Sequence, residues 1–312
     1  MPERRAVILA LPFLTLAACA QTGLGEGPPV PAALRFATAL EGADQAVDDA
    51  VDRMDGFERM AERENAAIAY ATGGQRGGIA RFTPPPAGAA EAAGRVLDPA
   101  FAALGDYGHV LAQVASGQPV LPRPSVSGVQ LARAAEAGLQ AVRAASGTPV
   151  AEPVRDAGLA GITALANLPR VLAQRGRPVT VAALVEEAQP HVAAVAAMLR
   201  AVIGPEPGQG TRGALRARRE ALDASQERFL EALRKDRRIG PGERYSIFRS
   251  ISELRDADPA EGTFAALIDL LATMEQAHAA LGAGSPEAAA RVTAFEVAVA
   301  RLAALSEASR RG

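Results

Sequence analysis

From Phe36 onwards, apolar side chains return every third or fourth residue, separated by charged and small polar ones. Phe36, Leu40, Ala43, Val47, Ala50, Met54, Phe57 and Ala61 keep an alternating 4-3 spacing, and Ile68 extends the stripe. That period places them on one face of a helix, as in a coiled-coil seam. It predicts a first helix from about Pro31 to Thr72. At a rise of about 1.5 Å per residue such a helix is roughly 60 Å long, which implies an elongated bundle. Gly73-Gly74-Gln75-Arg76-Gly77-Gly78 ends it, and Pro84-Pro85-Pro86 prolongs the break.

The same period recurs between Gly/Pro breaks to the end of the chain. A second helix is expected over Ala87–Ser116, with Leu97, Phe101, Leu104, Tyr107, Leu111 and Val114 inward and a possible interruption at Asp98-Pro99. A third covers Ser125–Ala145 through Val129, Ala132, Ala135, Leu139 and Val142. A fourth covers Pro153–Gln174, interrupted near Pro169. A fifth, Val179–Ile203, begins at a Thr180 cap and contains Pro190, which should kink it. The sixth spans Thr211–Arg238, with Leu215, Leu222, Phe229 and Leu233 apolar. Three more follow over Pro241–Arg255, Pro259–Leu281 and Pro286–Arg310, each opening on a proline that suits a helix start. The eighth turns Phe264, Leu267, Ile268, Leu271 and Met274 inward, and the ninth Val292, Phe295, Val299, Leu302 and Leu305.

No alternating β-branched run is long enough for a strand, and short loops favour antiparallel neighbours. The pattern therefore predicts an all-α fold: an elongated antiparallel helical bundle of about eight or nine helices over residues 32–312. An irregular α-solenoid is the alternative, although no repeat has a regular length or signature.

Composition agrees with helix. Among 312 residues, 72 are alanine, the strongest helix former. The basic residues are arginine except for Lys235, a bias that suits a GC-rich genome. A net charge of -2 excludes a general nucleic-acid binder. One cysteine excludes an internal disulfide framework and a zinc–thiolate cluster.

That cysteine closes the most specific motif in the chain. Arg4 and Arg5 precede an apolar stretch from Ala6 to Leu16, too short to span a bilayer but suited to a secretory signal peptide. Leu16-Ala17-Ala18-Cys19 then resembles the lipobox of bacterial lipoprotein precursors. The resemblance covers about twenty residues and implies a signal peptide over 1–18. It implies that Cys19 takes diacylglycerol, becomes the N-terminus and is acylated there. It further implies attachment to the cell envelope, facing the periplasm. Ala20, where inner-membrane retention favours Asp, points to the outer membrane. Residues 20–31, AQTGLGEGPPVP, read as a flexible tether, so 19–31 hold the lipidated cysteine and its linker. Two or three acyl chains, at about 0.8 kcal/mol per buried CH₂, anchor a protein stably.

Candidate chemistry is sparse. His109, His191 and His278 have no metal-ligand neighbour at i+3 or i+4 on the same stripe. Asp106 near His109 forms a pair too small for zinc and reads as a helix-surface pair. His278 falls on the stripe of Phe264, Leu267, Leu271 and Leu281, the place of a hydrogen-bonded core histidine. His191 follows Pro190, where a freed backbone carbonyl is expected to satisfy it. Asp48, Asp52 and Asp55, with Asp49 beside them, share a face that suits a divalent cation, a basic partner or plain solvation. Glu186-Glu187 is a second acidic pair. Gly73–Gly78 lacks the Gly-Lys-Ser/Thr ending of a phosphate loop. No Gly-x-Ser-x-Gly elbow is present.

One element is strongly charged. From Arg212 to Arg238 there are nine basic and five acidic side chains. Such a face suits lipid phosphates, an acidic partner, or solvent alone. Arg237 and Arg238 read as the cationic end of the helix.

These observations support no catalytic residue, metal or cofactor. The expected function is a lipid-anchored binding or scaffold module of the envelope, joined to the membrane by its acyl chains and to an envelope protein by its helical faces. An apolar-ligand or lipid carrier is the alternative, and an envelope hydrolase using His109 with Asp106, or His278, a further one.

Overall fold

A computed structural model describes residues 29–73, 88–121, 126–175, 178–256 and 260–308. The lipobox, most of the tether and Gly74–Gly78 lie outside them. The described residues are all helical apart from turns and connecting segments: α1 (Pro29–Ala71), α2 (Ala89–Ala115), α3 (Gly128–Ser146), α4 (Glu152–Arg175), α5 (Val181–Ile203), α6 (Gly210–Lys235), α7 (Pro241–Asp256), α8 (Ala260–Gly282) and α9 (Ala288–Ala308). They pack as a helical bundle. The long stripe of α1 is buried from Phe36 to Ile68.

Side-chain pairings give the direction of each neighbour. Along α1 and α2, Glu58 meets Ala89 and Ala90, Val51 meets Gly94, and Leu40 meets Gly108, so the two run antiparallel. Gly158 against Met198, and Arg175 against Glu187, make α4 and α5 antiparallel. Arg200 against Glu275, and Val185 against Gly282, do the same for α5 and α8. The ring closes differently. Arg35 and Phe36 meet Glu296 and Phe295, and Gly42 meets Val299, so α9 returns beside α1 in the same direction. One apolar core runs from Ala32 to Leu302. A solenoid's repeats touch only their neighbours. Contact between the first and last helices excludes that alternative.

The most enclosed helix is α2, which packs against α1, α3, α4 and α5. The interruption expected at Asp98-Pro99 does not occur, because Pro99 lies buried inside a continuous helix. Proline removes the donor that the Arg95 carbonyl would otherwise accept from. The backbone of α3 comes close to that carbonyl at Gly138, where a Cβ would stand 2.7 Å from the Arg95 carbonyl carbon and oxygen. Pro169 likewise lies within α4 and does not interrupt it, and α5 runs through Pro190. At Pro99 and Pro169, both buried, packing overrides the local proline signal, and α5 contains Pro190 as expected.

Other expectations need correction. Val129 is exposed, and the inward residues of α3 are Leu131, Ala135, Gly138, Leu139 and Val142. α3 starts at a capping box between Ser127 and Gln130. Val114, Phe229, Ile268, Val299 and Leu305 are only half-buried. Thr180 does cap α5, accepting from the Ala183 amide at 3.3 Å. α6 stops at Lys235, so Arg237 and Arg238 belong to the turn before α7 and not to the end of the helix.

Candidate functional site

Four constellations bring polar chemistry together. The deepest joins three helices inside the core. Tyr107 of α2 and His278 of α8 are both fully buried. The Tyr107 hydroxyl and His278 Nε2 are 2.7 Å apart, and His278 Nδ1 bonds Gln189 Oε1 of α5. An amide oxygen only accepts, so Nδ1 carries the proton and Nε2 accepts from the tyrosine. Every donor and acceptor of the imidazole is then used. Burial holds the imidazole far below its ordinary range, to about 3, and pushes the Tyr107 hydroxyl upward. Phe36 packs against His278 at 5.7 Å between ring centroids, and Phe295 packs behind Phe36. A neutral, saturated, enclosed imidazole is a core-organising group, as the stripe predicted. It offers no free base to a substrate.

The second constellation was not legible in the helix pattern. Glu58 of α1 is buried, and its two carboxylate oxygens accept from the amides of Ala89 and Ala90, at 3.0 and 2.7 Å. Those amides open α2, whose N-cap is Gly88 and supplies no side-chain acceptor. Glu58 thus caps a neighbouring helix, and a Cβ on residue 88 would sit 2.5 Å from its Oε2. Arg218 of α6 reaches the same carboxylate at 2.9 Å and Glu62 at 3.2 Å. Burial raises the Glu58 carboxyl, and the two amides and Arg218 pull it back. The one available signal was negative: α2 begins without Ser, Thr, Asp or Asn.

The third is acidic. Of the residues sharing a face of α1, Asp55 is taken by Arg59 at 2.6 Å. Asp48 instead faces carboxylates from two helices. Burial and the charges of Asp44, Asp98, Asp52 and Asp49 raise it to about 6. Asp98 comes from α2, so the spacing along α1 alone could not find it. Among the described residues no group of three or more His, Cys, Asp or Glu is disposed to hold a metal ion. The pair Glu186-Glu187 is divided: Glu187 makes a two-pronged bond with Arg175, at 2.7 and 2.6 Å, that ties α4 to α5.

The remaining histidines stand apart. His109 is half-buried and bonds Gln113 at 3.1 Å, while Gln113 accepts from the Leu121 amide. His191 is half-buried one turn from Glu187, whose carboxyl it helps to lower after Arg175.

The fourth is the surface made by α6 and α7. The first half of α6 is fastened to α1 through Arg218, and α7 packs on the second half. Arg255 holds that junction, donating to Gln226 Oε1 at 3.1 Å and to the Asp223 carbonyl at 3.3 Å. Gln226 is fully buried, although the apolar positions read from the sequence were Leu215, Leu222, Phe229 and Leu233. Ile251 is buried too, yet Tyr245 is 66% and Phe248 57% exposed. An open groove of about 470 Å³ lies between the two helices, lined by Leu230, Leu233 and Phe248 with Glu227, Glu231, Arg234 and Arg244. Among the described residues, Arg228, Arg237 and Arg238 make no salt bridge.

No protein-family model, curated protein or solved structure matches the chain. Nor is any helix among the described residues long and apolar enough to cross a membrane.

Proposed function

We propose that the protein is a lipid-anchored, periplasm-facing helical module of the cell envelope that binds or scaffolds another envelope protein, attached through Cys19 to the outer membrane. The observation behind the binding role is the α6–α7 surface. Tyr245 and Phe248 stand exposed on α7, and Phe248 shares the groove with Arg234 and Arg244. Isolated exposed apolar residues are ordinary, whereas aromatic and arginine side chains gathered at one groove are the composition of interface hot spots. The saturated state of His278 argues against the hydrolase alternative at that residue. Anchoring rests on Leu16-Ala17-Ala18-Cys19 and the apolar stretch before it.

Both halves are testable in intact cells. Cys19→Ser should remove the lipid and release the protein from the membrane fraction, and unchanged mobility and fractionation would refute anchoring. A photo-cross-linking residue at Tyr245 should give one adduct of defined mass, identified by mass spectrometry. The control position is Val297, equally exposed at 61% but on α9. Recovery of the monomer alone from every exposed position tested would refute the binding role.

A further inference from the structure

We infer that the α6–α7 groove takes an amphipathic helix whose apolar anchors are flanked by an excess of carboxylates. The inference rests on the binding-module reading and names the partner's chemistry.

The groove has the form that a helical ligand requires. Glu227, Leu230, Glu231 and Arg234 follow i, i+3, i+4 and i+7 spacing, so they share one face of α6. Arg244 and Phe248, four residues apart, share one face of α7. Leu230, Leu233 and Phe248 supply apolar wall between these two helical faces. Grooves of this kind accept a helix through anchors at i, i+3 or i+4, and i+7.

Charge then selects among occupants. Lys235 bonds Glu231 at 2.7 Å, and Arg255 lies 3.8 Å from Glu227. Glu231 is thereby offset from within the protein, and Glu227 in part, since Arg255 also pairs with Asp223 at 3.3 Å. Arg234 must share Glu231 with Lys235, and Arg228, Arg237 and Arg238 have no salt bridge among the described residues. From Glu227 to Phe248, the two walls of the groove and the turn joining them carry six basic and four acidic side chains, so this surface is left modestly cationic. A second copy of this chain would bring the same arginines face to face, which disfavours self-association. An anionic bilayer would meet the carboxylates of Glu227 and Glu231 along with the arginines. A peptide can set its own carboxylates opposite Arg234 and the neighbouring guanidiniums and leave the glutamates clear. Concavity also favours a peptide, because a bilayer surface cannot enter a groove between two helices.

The test is a displayed library of helical peptides with fixed Leu at i, i+4 and i+7 and random charge at the flanking positions. It is selected against the full chain in detergent. Enrichment of Asp and Glu at the flanks is expected. Arg234→Glu and Phe248→Ala, each checked for an unchanged circular dichroism melt, should each weaken the selected peptides at least tenfold. Raised salt should weaken binding to the parent. Binders without acidic enrichment, or binders indifferent to both substitutions, overturn the inference. So does a chain that yields no acidic binder but floats with phosphatidylglycerol vesicles in a manner lost in both variants, which would assign the surface to lipid. An in-cell adduct formed from another face, alongside a failed library, would overturn the groove and leave the binding module standing.

Discussion

Removing the Tyr107 hydroxyl isolates the contribution of the buried Tyr107–His278–Gln189 chain. Tyr107→Phe preserves the ring and its edge contact with His278, 5.4 Å between centroids. It leaves His278 Nε2 as a fully buried acceptor with no donor. Such a group costs about 1–3 kcal/mol. At about 2–4 °C per kcal/mol for a chain of this size, the melting temperature should fall by roughly 2–12 °C. His278→Leu orphans the tyrosine hydroxyl instead and costs a similar amount, while Gln189, only half-buried, turns toward water. The double variant should lose clearly less than the sum, since removing both partners leaves no orphan between them. Urea titration of the four proteins measures the coupling. Additivity within about 0.5 kcal/mol would refute the chain as a coupled unit. The pH dependence gives a second reading. His278 is held down to about 3 in the fold, whereas an unfolded histidine titrates near 6.5. Between these values the unfolded state binds the extra proton, so stability present above pH 7 is lost as pH falls toward 3. At pH 5 the loss from this residue is about 2 kcal/mol. His278→Leu should lack that component, and a parent and variant with the same pH slope would refute a buried neutral imidazole.

Three further substitutions probe the packing and the carboxylates. Gly138→Ala places a Cβ 2.7 Å from the Arg95 carbonyl. Overpacking of about 1–3 kcal/mol should outweigh the gain of about 1 kcal/mol in helix propensity, so a higher melting temperature would refute the close approach. Gly88→Ala should push the Glu58 carboxylate off the Ala89 and Ala90 amides, costing a cap of about 1–2 kcal/mol, with faster hydrogen exchange at those amides as the direct readout. Asp48, raised to about 6 by burial and four neighbouring carboxylates, lowers stability as pH rises from about 4 through 6. Asp48→Asn should therefore melt higher than the parent at pH 7.5 and show no such advantage at pH 4; an equal or lower melting temperature at pH 7.5 would refute the crowding.

What the sequence discloses and what it hides divide along the range of the interaction. Apolar periodicity is local and survives folding, so the stripe of α1, the inward face of α8 and the core position of His278 were all legible. The partners of His278 were not: Tyr107 lies 171 residues away, and only the packing of α2, α5 and α8 brings the three side chains together. The same limit hid Glu58, which looks like a polar interruption beside Phe57 until α2 arrives without a cap of its own. It hid Asp98 as well, which turned an evenly spaced acidic face into two unlike environments. Prolines misled in the opposite direction. Pro99 and Pro169 are local breakers, but burial on several sides compensates one missing hydrogen bond, and the helices continue through them. The α6–α7 surface follows from both effects. The charge count of residues 212–238 was legible, and its distribution was not. Pairing to Glu58 and Glu62 consumes Arg218, Arg255 of α7 takes Asp223, and ending α6 at Lys235 moves Arg237 and Arg238 into the turn. Arg234 and Arg244 then line the groove with Phe248, and Arg237 and Arg238 lie in the turn that joins its two walls. A basic excess spread evenly along the helix would fit solvation alone; Arg234 and Arg244, sharing an open groove with the exposed Phe248, are the groups that the proposed partner would use.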